Sequence, residues 1–230
     1  MRKQLIVALV LMVSAVELGA QTSVCRDIAD EPSHHLVFQN DNVRIFVLDL
    51  AGSRSTEEFC VPHAYLRVIA TEGKTADLVA GEVAYGQDWK VGEARFVYQP
   101  KRKTIRNETN VAFREYDIET LRPVEYNPLD QNYYAADLFG GDVGEFKADN
   151  TVSVTIGALK ASKSSLATGQ KMSLSDLPML LIAITDVDLT HGRGKRLSLQ
   201  RGDSAQFPGG TVLELENSGS RTARFITVEY

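Results

Sequence analysis

"GDSAQFPGGTVLELEN", residues 202–217, has an earlier counterpart in "GEARFVYQPKRKTIRN", residues 92–107. Each opens on Gly followed by an acid and places Asn fifteen positions on, at Asn107 and Asn217. Each then runs into an alternating segment that carries Glu twelve positions later, at Glu119 and Glu229. The offset is a constant 110 residues. A repeat at that period, with a connecting stretch between its copies, implies two tandem domains sharing one architecture.

The segments around both copies are short and alternate apolar with polar residues: "NVRIFVLDL", "AYLRVIA", "VAFREYDIE", then "TVSVTIGAL", "MLLIAITDVDL" and "ARFITVEY". Gly, Asn, Asp and Pro separate them at the spacing of sandwiches and barrels. No segment sustains a helical period with caps, so the chain is read as all-β. "QNYYAADLFGGDVGEFKADN", residues 131–150, lacks alternation and is read as connecting chain carrying a helical turn. The expected bounds are 24–125 for the first domain, 126–144 for the linker and 145–230 for the second domain.

Residues 1–20 have the order of a secretory signal: Arg2 and Lys3, the apolar "QLIVALVLMVSAV", then "ELGA" before Gln21. No later stretch approaches the roughly 18 to 20 apolar residues of a membrane helix. The mature protein is expected to be periplasmic or secreted, with no membrane partner. Its net charge, −5 over the full chain, becomes one unit more negative once Arg2, Lys3 and Glu17 are removed. An acidic protein lacks the clustered positive charge that phosphate binding needs, so nucleic acid is excluded as a partner. "PKRKTIR", residues 100–106, is the one basic run. In an oxidising compartment Cys25 and Cys60 either close a disulfide, as a staple, or stay free thiols.

The later copy resembles the second signature motif of the cupin superfamily, G-x5-P-x-G-x2-H-x3-N. Gly202, Pro208, Gly210 and Asn217 stand at its positions, with Leu213 in place of His. In the earlier copy Tyr98, Pro100 and Lys103 replace the Pro, the second Gly and the His. The resemblance implies a bicupin: two tandem jelly-roll barrels. In that family the motif His joins ligands from a first motif, G-x5-H-x-H-x3-4-E-x6-G, to hold a divalent metal.

Here the first motif falls on "STEEFCVPHAYLRVIA", residues 55–70. Counting back from Gly73 puts the two His positions at Phe59 and Val61 and the Glu at Leu66. Counting forward from Gly52 puts them at Glu58 and Cys60, with the Glu at Tyr65 or Ala64. Neither register yields a His pair. "GQKMSLSDLPMLLIAI", from Gly169, has no His either, and the second barrel is expected to be apolar inside. The chain holds four His in all: His34, His35, His63 and His191.

Lys103 has two readings. Buried, it takes over the ion's electrostatic role with Glu57 or Glu58 as partner, and can receive a small anionic molecule. Exposed, it snorkels to the rim beside Arg102 and Arg106. His34 and His35 point to opposite strand faces and cannot chelate together, so a structural or surface role is expected. Trp89 is read as either an exposed contact or a cap on the barrel. No nucleophile elbow or phosphate loop is present. The sequon at Asn107 coincides with the motif's turn residue, and the Arg-Gly-Asp at 201–203 with its opening turn.

The reading is therefore an exported cupin-like protein lacking the usual metal ligands and acting as a small-molecule binding or structural module, with no catalytic residue and no cofactor. Its candidate ligand-binding residues are Lys103, Glu58, Tyr65 and His63. The alternative is a metal-dependent dioxygenase or isomerase with an atypical Glu58, Cys60, His63 set in the first barrel. A homodimer would cover sheet edges, unless the two domains cover each other.

Overall fold

The computed structural model describes residues 25–79, 84–97, 102–124, 135–137 and 152–230. The signal-like segment, the motif positions Tyr98 and Pro100, and most of the linker lie outside them. The first half contains β1 (His34–Gln39), β2 (Val43–Leu50), β3 (Phe59–Cys60), β4 (Tyr65–Ile69), β5 (Gly73–Val79), β6 (Tyr85–Trp89), β7 (Ala94–Val97), β8 (Arg102–Asn107), β9 (Phe113–Thr120) and β10 (Ala135–Asp137). The second contains β11 (Val152–Ile156), β12 (Leu159–Leu166), β13 (Lys171–Leu174), β14 (Met179–Ala183), β15 (Val187–His191), β16 (Lys195–Leu199), β17 (Ser204–Phe207), β18 (Leu213–Asn217) and β19 (Ala223–Glu229).

The halves repeat strand for strand. One sheet runs β1-β2-β9-β4-β7 in the first half and β11-β12-β19-β14-β17 in the second; the other runs β3-β8-β5-β6 and β13-β18-β15-β16. All named pairings are antiparallel, and each half closes into a jelly-roll barrel. β10 extends the first large sheet beyond β7, so residues 135–137 form a strand; the rest of the stretch expected to carry a helical turn lies outside the described residues.

The punctuation of the repeat has structural work in both copies. Asn107 Nδ2 donates to the carbonyls of Leu50 (3.1 Å) and Val111 (2.8 Å), and Asn217 Nδ2 to those of Leu166 and Arg221 (2.7 Å each). Each Asn thus ties the turn after its own strand to the end of another strand. Neither takes a left-handed backbone, so the side-chain staple and not the turn conformation accounts for Asn here. Buried and bonded this way, Asn107 is withdrawn from glycosylation.

Gly92 and Gly202 do have positive φ, +80° and +89°. A Cβ on Gly92 would lie 2.8 Å from Ile184 Cδ1 of the second barrel, and one on Gly202 3.2 Å from the Ala70 carbonyl of the first. The two barrels therefore meet face to face through equivalent surfaces, as in an isologous dimer. Val43, Ile45, Leu66, Val68, Phe96 and Ile118 pack there against Leu180, Ile182, Ile226 and Val228. Tyr116 Oη donates across the junction to the Gly202 carbonyl at 3.0 Å. The domains cover each other's sheet faces, and the Arg-Gly-Asp turn is committed to that contact. This also explains why β4 and β14 are buried at every position. One face of each meets its own barrel interior and the other meets the neighbouring barrel, so β14 becomes an apolar run while β4 keeps one buried charge, Arg67.

Candidate ligand site in the first barrel

β9 reads Phe-Arg-Glu-Tyr-Asp-Ile-Glu-Thr. With a period of two, its inward face carries Phe113, Glu115, Asp117 and Glu119 while Tyr116 and Ile118 go to the inter-barrel core. The three acids are fully buried. Register sets their neighbours. Glu119 stands opposite Arg44 on β2 and Tyr65 on β4, and Asp117 opposite Phe46 and Arg67.

Arg67 organises the middle of the interior. Its guanidinium lies 3.2 Å from Glu115 Oε2 and 3.2 Å from Asp77 Oδ2 on β5, and 3.9 Å from Asp117 Oδ1. Lys103, on β8, is buried as well: Nζ donates to Tyr65 Oη at 2.8 Å and lies 3.9 Å from that same Asp77 oxygen. The ammonium also sits 5.4 Å from the centre of the Phe59 ring. The interior reading of Lys103 is thus the correct one, and its rim reading is not. Its partners are Tyr65 and Asp77, not the expected Glu57 or Glu58. Burial alone would pull the Lys103 ammonium down, with Arg67 adding to it, but Tyr65, Asp77 and Asp117 outweigh both and hold it charged.

His34 closes the cluster from β1. Nδ1 is 2.6 Å from Glu31 Oε2 and Nε2 is 3.7 Å from Asp117 Oδ2. Burial opposes its charge, yet the facing carboxylates of Asp117 and Glu31 prevail and raise it. His34 is thus an interior residue where a surface role was one expectation, while His35 is exposed as opposite-face geometry requires. Glu115 has the least support: burial, against the pull of Arg67, pushes it up to about 7. Glu119 is raised to about 7 by burial although Arg44 Nε donates to it at 2.6 Å. Trp89 is buried, donating to Thr75 Oγ1 at 2.8 Å with the Arg67 and Arg95 guanidinium groups near its ring.

Several of these polar atoms have no hydrogen-bond partner: His34 Nε2, Arg67 Nε and Nη2, Asp77 Oδ1, Glu119 Oε1, and both carboxylate oxygens of Glu115 and of Asp117. Buried groups left this way cost on the order of 1–3 kcal/mol each.

The second barrel shows that the fold does not demand such an interior. Lys103, Arg67, Asp77, Glu115 and Asp117 correspond there to Leu213, Leu181, His191, Phe225 and Thr227, by the matching registers. Leu181, Phe225, Leu189 and Leu215 form an apolar core with Leu213 and Phe207 against it, so the expected apolar interior holds in part: the buried, uncharged Ser162, Ser164 and Thr227 lie on the inward faces of β12 and β19. Only the pair at the barrel end persists: Arg44–Glu119 in one copy and Lys160–Glu229, at 2.8 Å, in the other.

Of the residues singled out from sequence, Lys103 and Tyr65 are brought together and Glu58 and His63 are not. Glu58 is exposed and paired with Arg102. His63 is half-buried in the β3–β4 connection, where its backbone bonds to Glu119. Neither motif register holds throughout. Phe59 and Val61 face inward as one has it, Tyr65 as the other has it, and Leu66 joins the inter-barrel core. Cys60 is bonded to Cys25, with Cα atoms 5.8 Å apart, so its sulfur cannot complete the Glu58, Cys60, His63 set. Among the described residues no three His, Cys, Asp or Glu side chains are grouped to hold a metal.

The basic run is dispersed: Arg102 pairs with Glu58, Lys103 turns inward and Arg106 pairs with Glu108. Arg67, Asp77, Glu115, Asp117 and Glu31 escaped the sequence reading, and His34 was read only as structural or surface-exposed. The signal that would have found the acids is their period-two placement on β9.

No family model matches the chain, and no curated protein matches it in sequence. Solved structures do resemble it. AerE from Microcystis aeruginosa superposes with a TM-score of 0.60 at 10% identity, over 86% of this chain and 97% of that one. A cupin 2 conserved barrel domain protein from Leptotrichia buccalis gives 0.59 at 14% identity, over 85% and 87%. A salicylate 1,2-dioxygenase from Pseudaminobacter salicylatoxidans gives 0.56 at 10% identity, over 82% and 71%.

Proposed function

We propose that this chain, a two-barrel cupin by fold, is an exported small-molecule binding protein that works without a metal, and that its site is the charged interior of the first barrel. One observation carries the reading: equivalent positions of a single scaffold are charged in the first barrel and largely apolar in the second. Buried ion networks are poor stabilisers compared with apolar packing of the same volume. A network that the fold can do without, and that leaves carboxylate oxygens unbonded, is better explained by what it receives.

The metal-free part of the reading rests on the side chains themselves. The inward positions nearest the first motif hold Phe59, Val61 and Tyr65, and the position matched to the second motif's His holds an ammonium. This set does not suit a divalent ion, which an ammonium repels. Lys103 and Arg67 supply the positive charge instead, and a small anion is the ligand they favour. Export rests on the signal-like residues 1–20, and the Cys25–Cys60 disulfide fits an oxidising compartment.

A screen of small acids and sugars by thermal shift, followed by calorimetry, tests the reading. The expected result is saturable binding of an acid that Lys103→Met abolishes. Absence of any acid binding would overturn it. Stoichiometric iron, manganese or zinc in the purified protein would favour a metal-dependent enzyme instead.

A further inference from the structure

We infer that the ligand of the first barrel is a small hydroxycarboxylic acid, held by its carboxylate at Arg67 and Lys103 and by its hydroxyl groups at Asp117 and Glu115. This rests on the proposed binding role and narrows it to a chemical class. The argument is one of matching unmet hydrogen bonds. Arg67 Nη2 has no acceptor, Arg67 Nε and His34 Nε2 have only ion-pair contacts, at 3.2 Å to Glu115 and 3.7 Å to Asp117, and Lys103 Nζ has spent one of its three donors, on Tyr65. The two cations flank one Asp77 oxygen, at 3.2 Å and 3.9 Å, which marks this spot as one where a carboxylate oxygen is stabilised.

The acids ask for the opposite. Glu115 Oε1 and Asp77 Oδ1 accept no hydrogen bond, Glu115 Oε2 has only its ion pair with Arg67, and the Asp117 oxygens have only the longer contacts to Arg67 and His34, at 3.9 Å and 3.7 Å. A plain carboxylate answers the cations and leaves these oxygens bare. A neutral polyol answers the acids and brings the cations no further negative charge. A hydroxy acid meets both demands in one molecule, and its hydroxyl discriminates strongly because the alternative is an unpaired buried carboxylate.

The added negative charge also has somewhere to go. Glu115 is faced by Arg67 from β4, Asp117 on its own strand, Asp77 from β5 and Lys103 from β8. Burial already lifts it to about 7, and a bound anion lifts it further, so a proton enters with the ligand. Affinity therefore rises as pH falls from about 8 to about 6.

The test compares glycerate, propionate and glycerol by isothermal calorimetry on the wild-type, disulfide-intact chain, which needs no variant to fold. Glycerate binding about tenfold or more tighter than propionate and glycerol, with proton uptake seen as a buffer-dependent enthalpy, is expected. Propionate or glycerol equalling glycerate would overturn the hydroxy-acid assignment; with propionate the anion-binding function would stand. No binding by either acid would overturn both. Asp117→Asn, judged folded by its melting transition, is expected to weaken glycerate while sparing propionate. Equal loss of both would also count against the assignment.

Discussion

Lys103 and Leu213 occupy one position in two copies of a scaffold, and the residues around them have diverged together. Lys103 is held by Tyr65 and Asp77 in a charged interior, whereas Leu213 packs against the apolar cluster that contains Leu174, Leu181, Leu215 and Phe225. The repeat preserves what builds a barrel and departs where the interior is filled. Four expectations follow from that division.

Replacing Lys103 by Met leaves Asp77 and Tyr65 without their ammonium partner. Removing one member of a buried charge pair costs about 3 kcal/mol. Urea unfolding is expected to show a loss of that order, and Lys103→Met/Asp77→Asn should recover little of it, because Asp77 also pairs with Arg67 at 3.2 Å. Acid binding should stay lost in both. Unchanged stability in the single variant would mean that the ammonium is solvated.

Stability should fall as pH rises from about 5 to about 8. Glu115 and Glu119 have an ordinary value of 4.5 and are raised to about 7 in the fold. The folded state binds more protons across that interval, so their contribution is complete below 4.5 and is lost on passing 7. His34, also raised, acts in the same direction. Asp77, Asp117 and Glu31 are lowered and set the acid limit, their contribution vanishing as they protonate. Thermal melts at graded pH check this, and Glu115→Gln should flatten the decline.

The Cys25–Cys60 bond closes a span of 35 residues and pins an arm whose Ile28 is buried among Phe46, Phe59 and Ile105. In the chain-entropy account such a loop contributes about 3 to 4 kcal/mol. The Cys25→Ser/Cys60→Ser protein should unfold at correspondingly lower denaturant. It should also be cut by protease near residues 25–31 before the barrels yield. Simultaneous loss of arm and barrels would show that the arm is part of the global unfolding unit.

Asn107→Ala and Asn217→Ala each orphan two or more carbonyls at equivalent turns. Each should cost about 1 to 3 kcal/mol, and the two costs should be similar. Equilibrium denaturation compares them. A marked difference would mean that the staple is no longer doing the same work in both barrels.

The fold was legible because its instructions are local and repeated. Gly92 and Gly202, Asn107 and Asn217, and the short alternating strands can be read one turn at a time. The site was legible only at Lys103 and Tyr65, where a motif supplied positions to look at. Glu58 misled because one residue of register reverses the face of a strand, and sequence counting left that register open. Arg67, Asp77 and Asp117 come from three strands whose adjacency is set by sheet order, which no local pattern records. The direction of Lys103 depended on a carboxylate 26 positions earlier, Asp77, being folded against it.

The central claim is that an ammonium and its buried partners, not a metal, serve the first barrel. Elemental analysis of protein purified without chelators, run alongside glycerate calorimetry on the same sample, tests it most directly. The account predicts far less than one transition-metal ion per chain together with saturable acid binding. One iron, manganese or zinc per chain, required for that binding, would contradict it.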